Sequence, residues 1–90
     1  MNIKVIELCS YGDTADFEAF DIDTRNLDLK FCPENWTFNG GGDIAVQYKQ
    51  DDMTLEVYAE GRLILYKALS GKIGISMARS LLESWPSAKD

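Results

Sequence analysis

The chain contains no histidine. That removes the commonest general acid–base, the usual zinc ligand and every Ser–His or Cys–His nucleophile pair. Cys9 and Cys32 are the only cysteines and lie far apart, so there is no Cys-x-x-Cys redox motif and no cysteine zinc site. No apolar run approaches the ~18–20 residues needed to span a bilayer. The opening stretch Asn2-Ile3-Lys4-Val5-Ile6-Glu7 lacks the long apolar run and small-residue cleavage site of an export signal. A reducing cytoplasm is therefore the expected setting, with Cys9 and Cys32 as buried thiols rather than a bridge.

Weaker signatures also fall short. A glycine-rich loop cradles phosphate when a helix N-terminus or a lysine follows it. Here Gly40-Gly41-Gly42 is followed by Asp43, which repels anions, and then by a strand pattern, so a flexible connection is expected. Asp21-Ile22-Asp23 lacks the glycine and distal glutamate of a calcium loop. The pairs Asp21/Asp23 and Asp51/Asp52 fit a solvent face and a turn better than acid–base work. No catalytic, cofactor-binding or metal-ligating residue is assigned, and the chain is not expected to be an enzyme.

What is present supports one folded domain. Ninety residues leave no room for a second core, and 46% of them are hydrophobic, with two Trp, four Tyr and four Phe. Folding at this size buries roughly 60–65% of the unfolded surface, so a homodimer interface would usefully supplement the core. The net charge is −6, and its placement is uneven. Between Asp13 and Glu34 lie seven acids (Asp13, Asp16, Glu18, Asp21, Asp23, Asp28, Glu34) and two bases (Arg25, Lys30), giving −5. That segment reads either as a solvated face or as an acidic surface for a basic protein partner or a nucleic-acid mimic. Direct phosphate binding through it is disfavoured by repulsion.

The pattern changes period once. Ile44, Val46 and Tyr48 alternate with Ala45 and Gln47; alternation resumes at Leu55, Val57 and Ala59, and again at Leu63 and Leu65 after Glu60-Gly61. From Ile73 the apolar spacing becomes three and four, through Met77, Leu81 and Trp85. Alternation lines one face of a sheet, and three–four spacing lines a helix. The expected fold is α+β: an antiparallel sheet of five or six strands with a C-terminal helix on one face. Strands are predicted over 3–9, 44–49, 54–59 and 62–67, and Pro86 ends the helix. Gly74 in its first turn signals either a later start or close contact with the sheet. The helix is expected to cover Leu55, Val57, Leu63 and Leu65.

Residues 14–22 read as helix or strand. The alternation of Phe20 and Ile22 before Asp23-Thr24-Arg25-Asn26, then of Leu27, Leu29 and Phe31, favours a hairpin. Residues 32–43 read as the longest irregular stretch, because Pro33 cannot donate to a ladder.

On this alternation Thr54, Glu56, Tyr58, Arg62, Ile64 and Tyr66 point away from the helix. Ile64 between two tyrosines is more apolar than an idle surface needs, which marks either an interface or a second, partly covered core. The candidate partner-binding residues are Asp16, Glu18, Asp21, Asp23, Asp28, Tyr58, Arg62, Ile64 and Tyr66. A third possibility is a small-molecule pocket between helix and sheet, lined by Trp85, Met77 and tyrosines.

Leu55-Glu56-Val57-Tyr58-Ala59-Glu60-Gly61-Arg62-Leu63-Ile64-Leu65, with the helix pattern that follows, resembles one half-repeat of the TATA-binding protein family over residues 44–85. The resemblance implies a curved sheet backed by a helix, with Phe38 and Tyr58 at the family's DNA-wedging aromatic positions. With one half-repeat, a DNA saddle requires a dimer, and Glu56 and Glu60 place acid where that family meets DNA. The leading expectation is a small, acidic, non-catalytic module that binds a protein partner. A dimeric nucleic-acid-binding domain and a small-molecule-binding accessory subunit are the alternatives.

Overall fold

The computed structural model describes residues 2–88. Six strands, β1 (Ile3–Ser10), β2 (Thr14–Asp21), β3 (Thr37–Gly41), β4 (Ala45–Gln50), β5 (Met53–Tyr58) and β6 (Arg62–Leu69), precede one helix, α1 (Lys72–Ser84). All pairings are antiparallel, in the order β1-β2-β6-β5-β4-β3. This is the expected α+β fold. The chain makes the β1–β2 hairpin, crosses to the far edge, and meanders back until β6 closes against β2.

Local chemistry explains the meander. Gln50 pairs with Met53, so Asp51-Asp52 is a two-residue turn, with Asp51 at φ 52°, a left-handed conformation that aspartate tolerates better than most residues. Tyr58 pairs with Arg62 around Ala59-Glu60-Gly61, where Gly61 adopts φ 112° and lies too close to the Arg25 carbonyl for a side chain. Val46, Tyr48, Leu55, Val57, Leu63 and Leu65 point to the buried side.

Helix α1 packs on β1, β2 and β6. Its buried positions are Gly74, Ala78 and Leu82, with Met77 and Leu81 partly buried and Ile73 59% exposed. The small residues run down the line nearest the sheet. A Cβ on Gly74 would collide with the Leu69 carbonyl and the Phe17 ring, so Gly74 marks close contact and not a later start. The helix has no basic residue in its last turn. Arg25 supplies that charge from a distant loop, donating to the carbonyls of Leu82 and Trp85 and pairing with Asp21 at 3.6 Å. Trp85 is extended ahead of Pro86, which ends the helix as expected.

Four expectations are corrected. The hairpin around Asp23–Asn26 does not form. Residues 14–21 instead make one strand between β1 and β6, burying Ala15, Phe17 and Ala19, and the Asp21 carboxylate accepts the Asp23 N–H as the strand turns away. Residues 37–41 form edge strand β3 despite its glycines, with Phe38 opposite Tyr48 and the two rings edge-to-face at 6.1 Å. The helix does not reach β5; Leu55 and Val57 are buried in one cluster with Leu27, Trp36 and Trp85. Finally, Cys9 and Cys32 are free and exposed.

That irregular chain is anchored at several points. Leu27 N–H donates to Ala59 O, Tyr48 Oη to Phe31 O, and Trp85 Nε1 to Asp28 O. Trp85 meets Phe31 and Tyr48 edge-to-face at 5.0 and 5.6 Å. A short ribbon finishes the cover: Asp28 N–H bonds Pro86 O, and Ala88 N–H bonds Asn26 O.

Candidate functional site

Among the described residues, no second layer covers the sheet face opposite the helix. Strand register places its side chains in rows across the sheet. One row reads Ile6, Glu18, Ile64, Glu56, Gln47 from β1 to β4. The neighbouring row reads Lys4, Phe20, Arg62, Tyr58, Ala45. On the other side lie Tyr66, Thr54, Lys49 and Thr37. Tyr58, Arg62, Ile64 and Tyr66 thus share one face, together with Glu18.

Glu56 organises the centre. Its Oε1 accepts from Tyr58 Oη at 3.0 Å and Tyr66 Oη at 2.9 Å, and its Oε2 accepts from Gln47 Nε2 at 2.7 Å. Burial pushes the Glu56 carboxyl up, but the donors from Gln47, Tyr66 and Tyr58, with the charge of Arg62, outweigh it and hold the group below its usual value. Burial first, and then the bond to Glu56, raise Tyr66 to about 12. Tyr58 is raised by the same causes in the same order. The guanidinium of Arg62 stacks 3.9 Å from the centre of the Tyr58 ring and pairs with Glu60 and Glu18. Both tyrosine hydroxyls are therefore tied to one carboxylate, with their rings standing on the face.

The acidic segment disperses on folding. Asp16 is 6% exposed, and its carboxylate accepts from the Lys67 N–H and from Tyr11 Oη. It sits where register shifts occur on both sides of β2, and Lys67 takes φ 59° there, so Asp16 pins paired bulges. Asp21 is 4% exposed and committed to Asp23 and Arg25. Asp23 is exposed in the following turn, and Asp28 accepts the Lys30 N–H on the covered side of the sheet. Of the five acidic candidates, only Glu18 joins the tyrosines. The sequence showed the charge of these residues but not the internal partners that occupy two of them.

Ile6, Phe20 and Gln47 are members of the face that sequence reasoning missed. The signal for Ile6 and Phe20 lies in the β1–β2–β6 register, which no local pattern carries, whereas Gln47 follows from alternation within β4 and its pairing with Glu56. Trp85, expected to line a pocket, is instead 1% exposed and packed edge-on against Phe31 and Tyr48. Among the described residues no cluster of metal-ligating side chains occurs, and no helix is long and apolar enough to cross a membrane. No family model, characterised protein or solved structure matches the chain.

Proposed function

We propose that this protein is a non-catalytic interaction module that binds a protein partner on the uncovered face of its sheet. The supporting observation is the Tyr58–Glu56–Tyr66 network beside Ile64. Tyrosine offers large contact area with a polar tip, and rings held by a shared carboxylate lose little freedom on binding. Ile6, Ile64 and Phe20 supply apolar contact between them, and Lys4, Glu18 and Arg62 frame it with charges of both signs. A mixed frame of this kind suits a protein surface, where complementary charge sets register and partner choice. It suits a nucleic-acid backbone poorly, because Glu18 and Glu56 lie within the face. The acid-rich segment contributes Glu18 to this surface, and a basic patch on the partner would meet that side.

The test compares affinity capture and cross-linking by the native chain with two variants. Ile64→Arg should lose the captured protein, whereas Ser76→Arg on the exposed side of α1 should keep it. Equal capture by both variants refutes the reading. Duplex DNA binding at low salt, lost with Ile64→Arg, would replace it with the dimeric saddle.

A further inference from the structure

The two edges of the sheet differ in what they offer a second chain. Edge strand β3 carries Gly40 and Gly41 at φ 114° and 142°, and its register with β4 shifts between Phe38 and Gly41. Such an edge is blunted. Edge strand β1 is eight residues long and regular up to Glu7, where its register with β2 shifts. Ile6 and Leu8 on it are 43% and 48% exposed.

Hydrogen-bond parity shows which of its peptide groups face outward. Ile22 N–H donates to Asn2 O, so Asn2, and with it Lys4 and Ile6, turn their peptide groups toward β2. Ile3, Val5 and Glu7 therefore turn theirs outward. Arg79 Nη1 confirms the direction by donating to the carbonyl of Ile3 from the outer side at 2.9 Å. Ile3 O is thus satisfied, while the outward groups of Val5 and Glu7 have no partner among the described residues.

We propose that β1 pairs antiparallel with β1 of a second copy about a twofold axis at Ile6, joining two sheets into one of twelve strands. This centre pairs Val5 of each chain with Glu7 of the other, using the free N–H and C=O groups on both in four hydrogen bonds. It places Ile6 against its symmetry mate at a non-hydrogen-bonded position, where side chains approach most closely. Glu7 then lies diagonal to the partner's Ile3, within reach of the arginine anchored there at position 79. A centre at Val5 would instead set Ile3 opposite Glu7 and displace Arg79 from the Ile3 carbonyl. The inference is independent of the open-face reading, which needs no second copy.

Light scattering and sedimentation velocity on the intact chain test it. The expected result is a mass twice that of the chain. Glu7→Pro removes an outward N–H that no strand of the same chain uses, and should halve that mass with the far-UV spectrum retained. Ile6→Lys should do the same by opposing two ammonium groups. Glu7→Arg should dissociate the pair, and adding Arg79→Glu should restore it. A monomeric native chain overturns the proposal, as does a dimer indifferent to Glu7→Pro or a charge swap that fails to restore association. Each of those results leaves the Ile64→Arg capture test standing.

Discussion

The covered face of the sheet has two halves built by different means. Over β1, β2 and β6 lies a regular helix, seated closely because Gly74 and Ala78 present almost no side chain to the strands. Over β5 and β4 lies an irregular chain whose aromatic and aliphatic side chains hang from a few specific hydrogen bonds. The first half depends on close approach along a repeating pattern. The second depends on individual anchors, and Trp85 with Arg25 forms the seam between them. Equivalent burial is thus reached by periodic packing on one side and by point contacts on the other.

Breaking the seam should have the largest effect. Trp85→Ala removes a ring 1% exposed, two edge-to-face contacts and the donor to Asp28, and should cost about 3–5 kcal/mol in urea unfolding. If the halves are coupled through this ring, fluorescence of Trp36 and far-UV ellipticity of the variant should report separate transitions where the native chain shows one. Arg25→Met should follow at about 2–4 kcal/mol, because Asp21 keeps a buried charge and the helix loses its C-terminal cation. Hydrogen exchange should then rise at the last turn of α1 and in residues 22–28 together.

Gly74→Ala sharpens the contrast, since it strikes the helical half alone. Alanine favours a helix by about 1 kcal/mol in isolation. Here its Cβ would meet the Leu69 carbonyl and Phe17, so a net loss of about 1–3 kcal/mol is expected, with exchange in residues 22–36 unchanged. A gain in stability would show that the helix rides higher than described.

Tyr66→Phe should be the smallest change, under about 1 kcal/mol near neutral pH. Its signature lies in alkali. The folded pKa of Tyr66 is raised, so its contribution is complete below the unfolded value of about 10 and lost as pH climbs toward about 12. Absorbance titration of the variant should lose one late-titrating phenol. Tyr48, raised to about 12 mainly by burial, should remain as the late one on the covered side. With one donor gone, Glu56 should titrate closer to its ordinary range, which carboxyl-resonance NMR would detect.

These two halves also mark what could be read from the residues. The helical half and the β4–β6 meander were legible, because spacing of two, four and three reports directly which side chains share a side. Ile73 misled by one position: it belongs to the apolar stripe by spacing, but the helix turns Gly74 to the sheet because only a small residue fits there. The irregular half was illegible. Leu27, Leu29 and Phe31 alternate like a strand, yet they are held by Ala59, Tyr48 and Trp85, contacts between residues far apart in the chain. The site divided similarly. Tyr58, Arg62, Ile64 and Tyr66 were found by parity within one hairpin, while the fate of Asp16 and Asp21 was set by partners at Lys67 and Arg25.

Period and turn chemistry by themselves determined that this chain folds as strands followed by one helix, and which residues of each strand face together. Strand order was decided only in three dimensions. Inserting β2 between β1 and β6 brought Ile6, Glu18 and Phe20 beside the tyrosines, and sent residues 22–36 across the opposite face to reach β3. Alternation tells a side chain which way to point within its own strand, but the neighbouring strand is chosen by summed burial and ladder bonds over the whole sheet.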